Sequence, residues 1–129
     1  MKLPASLARL AACAALLALG ACDDPPADPP TPGTLTATVV SPHGAEGAVL
    51  LELSGEGVGA VTAPAGQRIF TQGTDPVRVL LVLPQPGQAR FSVAVADTKE
   101  EPEVDFLEVA DGANQLRPSL AGYRVEFGQ

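Results

Sequence analysis

Two groups of side chains in this 129-residue sequence have the type and spacing to do chemistry. One is Cys22, which directly follows Leu19, Gly20 and Ala21; the other is a set of five carboxylates, Asp97, Glu100, Glu101, Glu103 and Asp105, within nine positions. The Cys22 thiol is a nucleophile that can be alkylated, because its thiolate forms near neutral pH. Small residues at 20 and 21 leave room for a peptidase to grip the chain just before it. The carboxylates are oxygen ligands of the kind Ca²⁺ gathers about six to eight of. Their spacing matches no calcium loop, and Lys99 stands among them. No metal or cofactor is therefore assigned, and these five are the positions that a calcium site or an acidic hydrolase centre would use.

The remaining chemistry-bearing residues point elsewhere. His43 is the only histidine and sits in a Pro-His-Gly turn, with no nucleophile motif around Ser41, Ser54 or Ser92. A catalytic relay needs an imidazole set between a carboxylate and a nucleophile, so none is predicted. One His without a free Cys cannot build the usual zinc sites. Gly55-Glu56-Gly57-Val58-Gly59-Ala60 has the form G-x-G-x-x-A, but Thr62, Pro64 and Gly66 follow where a phosphate-binding helix would have to begin. A glycine-rich loop is the expectation there. With no Trp and one Tyr, platforms for sugar rings are scarce. The catalytic set is predicted to be empty.

The element that positions Cys22 is the N-terminal stretch. Lys2 and Arg9 precede the ten apolar residues from Leu10 to Leu19, and no acid occurs before Asp23. That is the grammar of a secretory signal, and about 15 Å of helix is too short to span a bilayer. Followed by Leu19-Gly20-Ala21-Cys22, it resembles the lipobox signal of bacterial lipoproteins. The resemblance implies a signal peptide over 1–21, cleavage between Ala21 and Cys22, and acylation of Cys22. The expected location is the cell membrane or outer membrane, lipid-anchored on the exported side.

The chain from Cys22 onward carries six Lys and Arg against fifteen Asp and Glu, a net charge of −9. Such a surface repels nucleic acid and anionic lipid, so membrane attachment falls to the N-terminal lipid. Cys13 leaves with the signal and Cys22 is acylated, which leaves no disulfide to staple the fold. Residues 22–33 are the lipidated Cys and a tether: DDPPADPPTPG has five prolines in eleven residues. Proline favours extended polyproline II, which at about 3.1 Å per residue spans roughly 34 Å.

Residues 34–129 read as one domain in which period-two alternation predicts strands. Leu35, Ala37 and Val39 share a face in 34–40. Val49, Leu51 and Leu53 do so in 48–53, Val77, Val79, Leu81 and Leu83 in 77–83, and Phe91, Val93 and Val95 in 89–96. Further strands are predicted at 60–62, 67–72, 104–110 and 121–127, with Tyr123, Val125 and Phe127 on one side of the last. Turns are expected at 41–44, 54–59, 73–76 and 84–88, and an acidic loop at 97–103. Seven or eight strands at this rhythm make an all-β, antiparallel β-sandwich. In size and rhythm it loosely resembles immunoglobulin-like and cohesin-like sandwiches. The expected role is non-enzymatic binding or scaffolding with an envelope protein partner. The alternative is an envelope hydrolase or calcium-binding domain using the acidic loop.

Overall fold

The computed structural model describes residues 25–129; the expected signal helix and the Ala21–Cys22 cleavage and lipidation site lie outside the described residues. The described chain forms eight strands: β1 (Gly33–Val40), β2 (Glu46–Ser54), β3 (Val61–Thr62), β4 (Arg68–Gln72), β5 (Val77–Gly87), β6 (Arg90–Val95), β7 (Glu103–Ala110) and β8 (Arg124–Gly128). They assemble into two four-stranded sheets, ordered β3-β6-β1-β8 and β4-β5-β2-β7, with every ladder antiparallel. The all-β sandwich expected from the alternation is the fold.

The alternation also sets what fills the gap between the sheets. Leu35, Ala37, Val39, Val49, Leu51, Leu53, Val77, Val79, Leu81, Leu83, Phe91, Val93 and Val95 are all buried, and Ala89 and Val109 complete the core. Because side chains alternate across a strand, a one-residue slip would turn each of these sets to solvent, which pins the register.

Two boundaries differ from expectation by more than two residues: the last strand begins at Arg124 rather than at 121, leaving Tyr123 in the connection before it, and β5 runs on past 83. The proline-rich stretch 84–88 is not simply a turn, since β5 runs on to Gly87. The ladder steps from Ala48↔Val82 to Glu46↔Gly87, so residues 83–86 bulge opposite Gly47. Pro84 and Pro86 stand exposed where the ladder skips, and their missing N–H groups break no bond. Gly47 is required there because a Cβ would run into the Asp111 carbonyl. A second bulge, opposite Leu50 and Leu51, lets β7 change face between Phe106 and Glu108.

Every ladder joins an odd-numbered strand to an even-numbered one, so successive strands alternate in direction. Val61 of β3 lines a cleft with Thr71 and Val77 at one side, and the Phe106 ring lies 5.7 Å from that of Tyr123 at the other. Two residues, 88–89, suffice to carry the chain from β5 across to β6. The connections therefore divide between two ends. Residues 41–45, 63–67, 88–89 and 111–123 lie at one. Residues 55–60, 73–76 and 96–102 lie at the other, together with the incoming segment 25–32.

That segment has no regular secondary structure, yet its last part is pinned. The Thr98 N–H donates to the Thr31 carbonyl at 2.8 Å, and the Thr31 N–H to Asp97 Oδ1 at 3.3 Å. Lys99 Nζ lies 3.4 Å from Asp28 Oδ2, a pair too exposed to contribute much.

Candidate functional site

The five acidic positions do not converge. Asp97 Oδ1 accepts from the N–H groups of Thr31 and Lys99, so this carboxylate closes its own turn and holds the incoming segment. Glu100 and Glu101 are exposed in the loop, and Glu103 and Asp105 point outward from β7. No group of three His, Cys, Asp or Glu side chains that could hold a metal ion occurs among the described residues. The glycine stretch 55–60 follows the β6 backbone instead of opening a helix. The Gly59 N–H donates to the Ala94 carbonyl at 2.7 Å, and the Ala96 N–H to the Gly57 carbonyl at 3.1 Å. Gly57, at φ 75°, has no room for a Cβ against Ala96.

A charged cluster that the sequence did not announce sits at the opposite end of the sandwich. Glu46, the first residue of β2, is 2% exposed. Its Oε1 accepts hydrogen bonds from Ser41 Oγ at 2.6 Å and Tyr123 Oη at 2.7 Å, and its Oε2 accepts one from Arg117 Nε at 3.1 Å. The His43 N–H donates to Ser41 Oγ at 3.0 Å, and the His43 ring lies 6.0 Å from that of Tyr123. Burial alone would push the Glu46 carboxyl up. The bonds from Ser41, Tyr123 and Arg117, with the guanidinium charge, outweigh it and hold the group below the usual carboxylate value. Burial, then the neighbouring Glu46, raises the Tyr123 phenol, and the Glu46 bond raises Arg117. Both Glu46 oxygens are satisfied and enclosed, so the cluster ties the 41–45 and 111–123 connections to β2. It is a structural clasp, with neither a free nucleophile nor an open carboxylate.

The feature aimed at solvent is the outer face of the β4-β5-β2-β7 sheet. Registered across it are the outward residues Arg68, Val82, Ala48 and Ala110, then Phe70, Leu80, Leu50 and Glu108, then Gln72, Arg78, Glu52 and Asp105. The middle of this face is apolar. Phe70 is 57% exposed on β4, and Leu116, beside Ala110, is 63% exposed. These two flank a pair of shallow grooves that share Leu50 and Leu80 as their floor. Arg78 and Glu52 meet across the strands at 2.8 Å. The opposite sheet shows what an ordinary solvated face looks like in this protein. Its outward positions include Thr34, Thr36, Thr38, Ser92, Arg90 and Glu126.

Compared with known proteins, the chain matches no family model, no curated protein and no solved structure. Its surface is read from its own residues. The apolar face did leave a signal in the sequence. AVLLEL and VRVLLVL are nearly continuous apolar runs, which put apolar side chains on both sides of β2 and β5. Glu46 left no such signal, since its partner Tyr123 is 77 positions away.

Proposed function

We propose that the protein is a lipid-anchored envelope protein whose β-sandwich is a non-enzymatic binding module working through the outer face of the β4-β5-β2-β7 sheet. The observation that carries this reading is that face: Phe70, Leu80, Leu50 and Leu116 form a contiguous apolar surface on a domain whose other sheet is solvated by Thr, Ser and charged residues. Contiguous exposed apolar surface marks interaction sites in soluble domains. The anchor is the acylated Cys22, supported by the short apolar core before it, the Leu19-Gly20-Ala21-Cys22 box and the acidic proline stretch after it. Nine residue steps lead from Cys22 to Thr31, where the chain is pinned to the domain. At about 3.1 Å each in polyproline II they allow a stand-off near 28 Å. The clasp at Glu46 then lies at the end of the domain directed away from the membrane.

The anchor is tested by replacing Cys22→Ser and comparing membrane and soluble fractions, with mass spectrometry of the mature N-terminus. Wild type should sediment with membranes and carry acyl mass on Cys22, and the variant should lose both. A wild-type N-terminus without acyl mass refutes the anchor.

A further inference from the structure

We infer that the outer face of the β4-β5-β2-β7 sheet pairs with a second copy of this chain, face to face, about a two-fold axis parallel to the strands. The inference deepens the binding-module reading above and rests on it. The face is charged asymmetrically. Arg68 and Arg78 stand on the β4 and β5 side, and Glu52, Asp105 and Glu108 on the β2 and β7 side, with Leu80 and Leu50 between and Phe70 on the β4 edge. A surface basic on one flank and acidic on the other can complement itself, and the symmetry decides how. An axis running along the strands places β4 of one copy over β7 of the other and β5 over β2. Leu80 then meets Leu50, Arg78 meets Glu52, and Phe70 lies over β7 at Glu108, of the second copy. An axis lying across the strands would stack β4 on β4 and β7 on β7, laying the basic flank over the basic flank and the acidic flank over the acidic one, with Glu108 over Glu108.

The same axis satisfies an independent requirement. Residue Gly33 begins β1 at the end that also holds 55–60, 73–76 and 96–102. A two-fold along the strands leaves both Gly33 ends on the same side of the pair, as two chains anchored to one membrane surface need. The crossed axis sends them to opposite ends.

The size of the face sets the strength. Four strands at about 4.8 Å and five residues at about 3.3 Å project to roughly 300 Å². A pair then buries under about 1,000 Å² in total, below the roughly 1,200–2,000 Å² of stable complexes. The pair is weak in dilute solution and forms where anchoring raises the local concentration.

The test uses the full-length chain in membranes, with the photoreactive analogue benzoylphenylalanine in place of Phe70. Irradiation should give a product of twice the chain mass, cross-linked to residues 105–116 of the second copy. Arg78→Glu should cut that yield at least several-fold, and Arg78→Glu with Glu52→Arg should restore it, since the swap keeps the pairing within and between copies. An adduct with a different protein overturns self-pairing while leaving the binding face standing. A dimer cross-linked β4 to β4 overturns the axis and the inference with it. No adduct at all overturns both the pairing and the binding face.

Discussion

Replacing Glu46→Ala tests whether the clasp holds the sandwich or merely decorates it. The substitution removes a carboxylate that accepts three hydrogen bonds, from Ser41, Tyr123 and Arg117. Bonds to a charged acceptor contribute about 1.5–3 kcal/mol each when fully enclosed. Here only the acceptor is fully enclosed; the Arg117 side chain is 21% exposed and regains water when its partner is lost. Discounting each bond to about 1 kcal/mol gives a loss near 3 kcal/mol, at the low end of the roughly 3–5 kcal/mol for breaking a buried pair. With a urea slope of about 1.5 kcal/mol per molar for a domain this size, the midpoint falls by about 2 M. Urea titration followed by far-UV circular dichroism at pH 7 reads this directly. Glu52→Ala, which breaks the exposed pair with Arg78, should cost under about 0.5 kcal/mol in the same assay. A double-mutant cycle of Glu46→Ala with Arg117→Ala should return a coupling above about 1 kcal/mol. A loss under about 1 kcal/mol for Glu46→Ala, or no coupling, would refute the clasp.

The clasp also predicts the pH profile. Glu46 is held below its ordinary value of 4.5, so its contribution is present above that pH and is lost as pH falls through the folded value. The stability gap between wild type and Glu46→Gln should therefore be widest near pH 7 and close in acid; a gap constant with pH would mean Glu46 is not ionised in the fold. Tyr123 is shifted the other way from its ordinary 10.0, so its contribution holds below that pH and fades as pH rises through the folded value. The register of β5 is checked by adjacent leucines: Leu81→Ala, fully buried, should cost about 3 kcal/mol, and Leu80→Ala, on the outer face, under about 1 kcal/mol in the soluble monomer, both read by urea unfolding.

The legibility of this fold followed the period of its strands. Wherever an apolar residue alternated with a polar one, as in Leu35–Val39 or Phe91–Val95, burial followed the pattern, because only one face of each strand meets the other sheet. The pattern carried less at the bulges. Nothing in the single run VRVLLVLPQPG tells where the ladder steps, since that depends on Gly47 fitting under Asp111 from another part of the chain. The acidic loop was read as a possible ligand set from composition, yet composition does not carry direction. Asp97 turns inward to its own backbone, while Glu103 and Asp105 project from a strand. Glu46 was illegible for a related reason. An acid before a strand is ordinary, and it becomes a buried anion only when Arg117 and Tyr123 arrive from residues 71 and 77 positions downstream.

A sheet that is apolar on its inner face and carries an apolar strip across the middle of its outer one poses a problem that the rest of the chain must answer. The inner face is covered by the other sheet. The outer one, open among the described residues, would favour indiscriminate association, particularly beside the β4 edge of the sheet. Three features restrict that outcome without covering the face. The net charge of −9 from Cys22 onward makes copies repel at a distance, so only a geometry that aligns opposite charges at contact escapes the penalty. The Arg78–Glu52 pair interrupts the apolar field with charges that must find partners when water is excluded. At the other end of the face, residues 115–117 lie along β7 and satisfy part of its edge, with the Arg117 N–H donating to the Val109 carbonyl at 2.7 Å. Arg117 then reaches Glu46 from that position. The clasp and the face are therefore one construction: the bond that buries Glu46 also fixes the segment that carries Leu116 to the rim of the apolar surface.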